Sequence, residues 1–127
     1  MVLLDTNALL WLVEDRPQLG VASREMLASR HPVYYSAVSV QELVIKQMKG
    51  RLVVPDDLCA RLDAGGLRQL PLAGEHAEAL REFPSLAGHD PFDRALLAQA
   101  QVEGLVFLTS DRVLLSLEIP WIRDARA

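Results

Sequence analysis

HDPFDRALLAQAQVEGLVFLTSD, residues 89–111, sets a helix, a turn and a strand end to end, with aspartates at both limits. Asp90 stands before Pro91 as an N-cap before a first helical position, and apolar residues then recur at helical spacing as far as Glu103. Gly104 is the residue expected just past a helix C-terminus, and LVFLTS (105–110) is an unbroken apolar run of the buried-strand type. The same alternation extends outward. VLLD (2–5), PVYYSA (32–37), LRQLPL (67–72) and IPWI (119–122) read as four more strands. Helical spacing fills SREMLASR (23–30), SVQELVIKQMKG (39–50), PDDLCARLDAG (55–65) and GEHAEALREF (74–83). Strands that alternate with helices predict an α/β fold with a mostly parallel sheet covered on both sides.

Composition bounds the rest. The chain has 127 residues, half of them hydrophobic and 24% charged, with no linker or compositional break, so 1–127 is read as one domain with a self-sufficient core. Its one cysteine, Cys59, suits a reducing compartment and is expected on the buried side of a helix. MVLLDTNALLWLV (1–13) is apolar but broken by Asp5-Thr6-Asn7, so it is read as neither signal peptide nor membrane span, and a cytoplasmic protein is expected. The net charge of −4 gives nothing in favour of a nucleic-acid partner, as a generally basic surface would have, although eleven Arg against two Lys permit local phosphate contacts.

In open parallel sheets, ligands bind outside the carboxyl ends of the strands. Asp5 ends the first strand, Asp111 follows the fourth, Glu42 opens the helix after the second, and Asp93 opens the helix before the fourth. Four carboxylates gathered there would repel one another unless a cation intervened, and hard divalent Mg²⁺ or Mn²⁺ is the natural partner. Each acid also has a helix-capping reading. Ser39-Val40-Gln41-Glu42 matches a capping box, Asp111 precedes a short helix, and Asp90 caps the helix that carries Asp93. Asp5 lies at the end of a buried strand, where an unpaired charge is costly, and its readings are a functional carboxylate or a cap for a helix over 7–13. Asp93 shares its helix face with Leu96, Leu97 and Ala100, the buried stripe, whereas a solvated cap has no need of that side. Glu42 shares a mixed face with Ile45, Lys46 and Lys49 and can pair with Lys46. His31, His76 and His89 show no ligand spacing and read as loop or surface residues.

LLDTNALLWL, SAVSVQELVIK with its following GRL, HDPFDRALLAQA and FLTSD together resemble, in order and spacing, the PIN-domain ribonucleases, and specifically VapC-type toxins of bacterial toxin–antitoxin pairs. The resemblance spans nearly the whole chain. It implies a PIN-like three-layer fold whose five-stranded sheet runs in the order 3-2-1-4-5, a homodimer, inhibition by a cognate antitoxin, and endonucleolytic cutting of structured RNA such as tRNA or rRNA. It also implies one or two Mg²⁺ or Mn²⁺ ions, with Asp5 and Asp93 as principal ligands, Glu42 as a further ligand and Asp111 as the least constant. Ser110 stands where many members of the family carry Arg.

The chemistry that follows is metal-assisted phosphodiester hydrolysis, with the carboxylates as metal holders and water orienters. Thr6, Asn7, Ser39 and Thr109 are placed to fix those carboxylates or a water, and Arg94 to anchor the site by pairing with one, or else to meet an RNA phosphate. Other readings are an α/β binding module without catalysis, whose acids only cap helices, and a phosphoacceptor receiver domain. The receiver would require a Lys after the fifth strand, whereas both lysines, Lys46 and Lys49, lie on one helix. A haloacid-dehalogenase-type phosphatase would require a second Asp two residues after Asp5. For a partner surface the sequence points to the apolar residues Leu9 to Val13 and the nearby LASR segment (27–30).

Overall fold

A computed structural model describes residues 1–127. Five strands, β1 (Val2–Leu4), β2 (Val33–Ser36), β3 (Arg68–Leu70), β4 (Val106–Thr109) and β5 (Ile122–Asp124), form one sheet in the order β3-β2-β1-β4-β5. Every neighbouring pair is parallel, with Leu3 opposite Tyr34 on one side and Phe107 on the other. A parallel sheet is covered on both faces, which is why β1 can be VLL without a polar alternation. Its three residues have no solvent exposure.

Seven α-helices supply the covering: α1 (Thr6–Val13), α2 (Val21–Ser29), α3 (Ala37–Met48), α4 (Leu58–Ala64), α5 (Gly74–Glu78), α6 (Pro91–Glu103) and α7 (Arg112–Leu115). The alternation of side chains along β1 and β4 divides the core in two. Val2, Leu4 and Leu108 point into a cluster with Leu9 of α1, Leu27 of α2, Leu43 of α3 and Leu62 of α4. Leu3 and Phe107 point the other way, into Leu96, Leu97 and Ala100 of α6 and Leu114 of α7. The layers are therefore helix, sheet, helix. Cys59 of α4 is partly buried against the first cluster, as expected of a packing residue.

The strands lie within about two residues of their expected places except the last. Pro120 has no N–H to give a ladder, so IPW forms a turn and β5 starts at Ile122, opposite Phe107. The single helix expected over 74–83 stops at Glu78 and continues as two 3-10 turns, Ala79–Glu82 and Pro84–Leu86. Gly20 allows a close backbone approach. A Cβ there would collide with the carbonyl groups of Arg126 and Ala127, and the two segments are joined by bonds from Gly20 N–H to Ala125 O and Ala22 N–H to Ala127 O.

Candidate metal centre

Strand order reverses between β1 and β4. From β1 the chain moves outward to β2 and β3, and from β4 it moves to β5 in the other direction, the position where open parallel sheets place their ligands. Asp5 lies there, at the carboxyl end of β1, with only 3% of its surface exposed. It caps α1 through Oδ1, which accepts from Ala8 N–H at 2.7 Å, while Oδ2 accepts from the Thr109 hydroxyl at 2.7 Å and Ser110 N–H at 3.0 Å. A carboxylate has about four acceptor positions, so three of these are used internally and one remains. Burial raises its pKa despite these bonds, and the charge of Glu42 adds to the rise.

Thr109 ties two acids together, since its hydroxyl donates to Asp5 and accepts from Asp111 N–H at 3.0 Å. Asn7 reaches across the same gap, donating from Nδ2 to Ser110 Oγ at 3.1 Å. Beside them the Thr6 hydroxyl donates to Glu42 Oε1 at 2.7 Å and is hydrogen-bonded to the Ser39 hydroxyl at 3.0 Å. Glu42 is also paired with Lys46 at 3.2 Å, as the helical spacing predicts. The expected capping box is overturned. Ser36, not Ser39, caps α3, accepting from Val38 N–H at 3.0 Å, so the helix starts earlier and Ser39 and Glu42 face α1 from its interior.

At the entrance to α6, Asp90 accepts from the N–H groups of Phe92 and Asp93 and so fills the cap position, as expected. Asp93 is thereby released from capping. Its carboxylate accepts no backbone N–H, is partly buried, and has its pKa pushed up to about 8 by burial and then by the charges of Asp111, Asp90 and Asp5. Asp111 caps α7 through Leu114 N–H at 2.9 Å. Burial opposes its ionisation, but that N–H, Asp93 and His89 outweigh it and hold its pKa below the ordinary carboxylate value. His89 completes the group, with Nε2 at 3.2 Å from Asp111 Oδ2 and 3.7 Å from Asp93 Oδ2. The ligand atoms of His89, Asp93 and Asp111 all lie within 4.8 Å of one another.

Residues 2–119 match the sequence pattern of the PIN domain family. The chain is a PIN domain. Solved structures with the same fold include a chain of a toxin–antitoxin complex from Klebsiella pneumoniae, 19% identical with a TM-score of 0.69 over 98% of both chains. A second is in DNA-bound VapBC from Salmonella typhimurium, 22% identical with a TM-score of 0.65 over 97% of this chain and 95% of that one. A third is in FitAcB from Neisseria gonorrhoeae, 27% identical with a TM-score of 0.57 over 87% of this chain and 88% of that one. Comparison with curated proteins returns no match.

The donor set of this PIN domain fits a divalent cation. A carboxylate without N–H partners, raised to about 8 by burial and then by its acidic neighbours, marks a place where a cation would offset the cost of ionisation. Oxygen predominates among the donors, as the Mg²⁺ and Mn²⁺ class requires. Three sequence expectations are corrected at and around this centre. His89 lies in a loop, as expected, but four residues before Asp93 it is carried by that loop against Asp93 and Asp111, a ligand spacing the sequence did not show. His76 is buried rather than on the surface, its Nδ1 accepting from Ala73 N–H and its Nε2 lying 2.8 Å from Glu103 Oε2. Arg94 pairs with no carboxylate; Nη1 donates to Ala87 O at 3.0 Å and Nε is buried without a partner. One residue along a helix is about 100° of rotation, which turns Arg94 away from the face that Asp93 presents.

Proposed function

We propose that this PIN domain is a Mg²⁺- or Mn²⁺-dependent endoribonuclease, the toxin of a toxin–antitoxin pair, hydrolysing phosphodiester bonds in structured RNA such as tRNA or rRNA. The observation that carries the reading is the meeting of Asp93, Asp111 and His89, whose ligand atoms lie within 4.8 Å of one another, beside Asp5, which Thr109 links to Asp111 at the ends of β1 and β4. Asp93 and Asp111 would hold the cation, with Asp5 through its remaining acceptor position and Glu42 as further carboxylates. A bound divalent cation supplies positive charge to the phosphate oxygens and makes water a better nucleophile. The chain's own contribution is positional. Thr109 and Ser110 fix Asp5, Thr6 and Ser39 fix Glu42, and Asn7 pins the start of α1 to the loop after β4. Likeness to chains of toxin–antitoxin complexes supports the toxin role. Its partners on this reading are an antitoxin protein, the RNA and a second copy of the chain. It would act in the cytoplasm, and no helix is long and apolar enough to cross a membrane.

Capping explains Asp5 and Asp111 individually, which favours a binding module without catalysis at those two positions. It leaves Asp93 unexplained. Replacement of Asp93 by Asn therefore separates the readings: Mg²⁺-dependent RNA cleavage is expected to fall by about a hundredfold or more, while the melting temperature without metal is unchanged or higher. Cleavage at the wild-type rate would remove Asp93 from the chemistry, and loss of folding together with activity would return it to a structural role.

A further inference from the structure

Resting on the metal-site reading above, we propose that His89 supplies a nitrogen ligand to the cation held by Asp93 and Asp111, and that this nitrogen makes the site prefer Mn²⁺ to Mg²⁺. Ligands adjacent to one another around a six-coordinate ion at about 2.1 Å are roughly 3 Å apart. The separations of His89 Nε2 from the two carboxylates, 3.2 and 3.7 Å, are close to that spacing, so small side-chain movements would enclose an ion. The backbone that carries the ring is held in place. The His89 backbone N–H donates to Leu86 O at 2.9 Å, and Arg94 Nη1 donates to Ala87 O at 3.0 Å. With 21% of the side chain exposed, the imidazole is not a freely rotating surface group.

The donor type decides the preference. Mg²⁺ binds oxygen and gives up its waters reluctantly, whereas imidazole nitrogen suits first-row transition metals, and Mn²⁺ accepts it beside carboxylates. The remaining acids do not offset this. Glu42 is engaged by Thr6 and Lys46, and Asp5 has three of its acceptor positions filled from within the protein.

The opposing account makes His89 a protonated counter-charge that occupies the cation's place. The two differ in sign. If His89 is a ligand, removing it weakens Mn²⁺ binding; if it is a counter-charge, removing it strengthens binding. The test uses the purified chain with MnCl₂ and MgCl₂ as probes, titrated calorimetrically into wild type, His89→Ala and Asp93→Asn. Pulsed electron paramagnetic resonance of bound Mn²⁺ provides a readout independent of activity. An imidazole nitrogen coupling is expected in the wild type. His31 contacts only Ala28 O, and His76 is closed off by Ala73 and Glu103, so that coupling reports His89. His89→Ala is expected to lose the coupling and about tenfold or more in Mn²⁺ affinity, with less than about threefold loss for Mg²⁺. Bound Mn²⁺ without nitrogen coupling in the wild type would overturn the assignment of His89 and leave the metal site standing. Tighter Mn²⁺ binding by His89→Ala would do the same. A wild type that binds no Mn²⁺ overturns both.

Discussion

Asp5 and Asp93 are both short acids at the same end of the sheet, yet their surroundings give them different work. Asp5 receives three donors, two of them backbone N–H groups that have no other acceptor, so its removal orphans buried polar groups. Asp93 receives none of that kind and is crowded by like charge. Asp5→Ala is therefore expected to lose about 2 kcal/mol in urea denaturation with metal chelated, and Asp93→Ala to be neutral or stabilising under the same conditions. Comparable losses in both variants would contradict the division. The candidate status of both residues was legible in the chain, Asp5 from its place after VLL and Asp93 from its register with Leu96 and Leu97. His89 was not. Helical register applies only inside a helix, and His89 lies in the loop before α6, so its four-residue spacing from Asp93 carries no meaning until the 3-10 turn at Pro84–Leu86 has placed it.

α6 joins the core to the centre. Leu96, Leu97 and Ala100 are fully buried, Asp90 satisfies two N–H groups at its start, and Gly104 closes it with φ of 66°, a left-handed conformation natural to glycine. The cap and the candidate ligand are thus on one turn. Asp90→Ala is expected to destabilise the chain by about 1 kcal/mol and to weaken Mn²⁺ binding, whereas Asp90→Asn, which caps as well, is expected to preserve both; thermal melting and calorimetry check the pair. Mn²⁺ binding unaffected by Asp90→Ala would show that the first turn holds Asp93 without its cap. α3 illustrates where local rules fail. Ser36 and Ser39 are both acceptable caps, and the choice between them follows from the end of β2 at Ser36 and from the meeting of Ser39 with Thr6, contacts 33 residues apart in the chain. Arg94 likewise reads as a partner for nearby acids, but helix rotation delivers it to Ala87.

For the molecule as a whole, the gathered acids couple folding to protons, and a bound cation would add to that coupling. The Asp93 carboxyl titrates at about 8 in the folded chain against an ordinary 3.8, so between these values the folded state keeps a proton that the unfolded state has lost. Stability without metal is then expected to fall as pH rises through that window, and Asp5, raised in the same direction, adds to the slope. Asp111 is lowered, and its opposite effect lies below the ordinary carboxylate range, outside the window. Added Mn²⁺ should therefore raise the melting temperature more at about pH 8 than at about pH 5; an equal or smaller gain at the higher pH would contradict the coupling of the acids. The alternation of apolar strands with amphipathic helices was enough to specify a covered parallel α/β sheet, because burial on both faces leaves continuous runs such as VLL and LVFLT that periodicity detects. With the motif order it also marked four acids for one end of that sheet. Which atoms meet there was a tertiary decision. The pairing of β1 with β4, the loop from 84 to 90 and the rotation of α6 unite Asp93 with Asp111 and His89 and send Arg94 elsewhere, through contacts between residues that no local spacing relates.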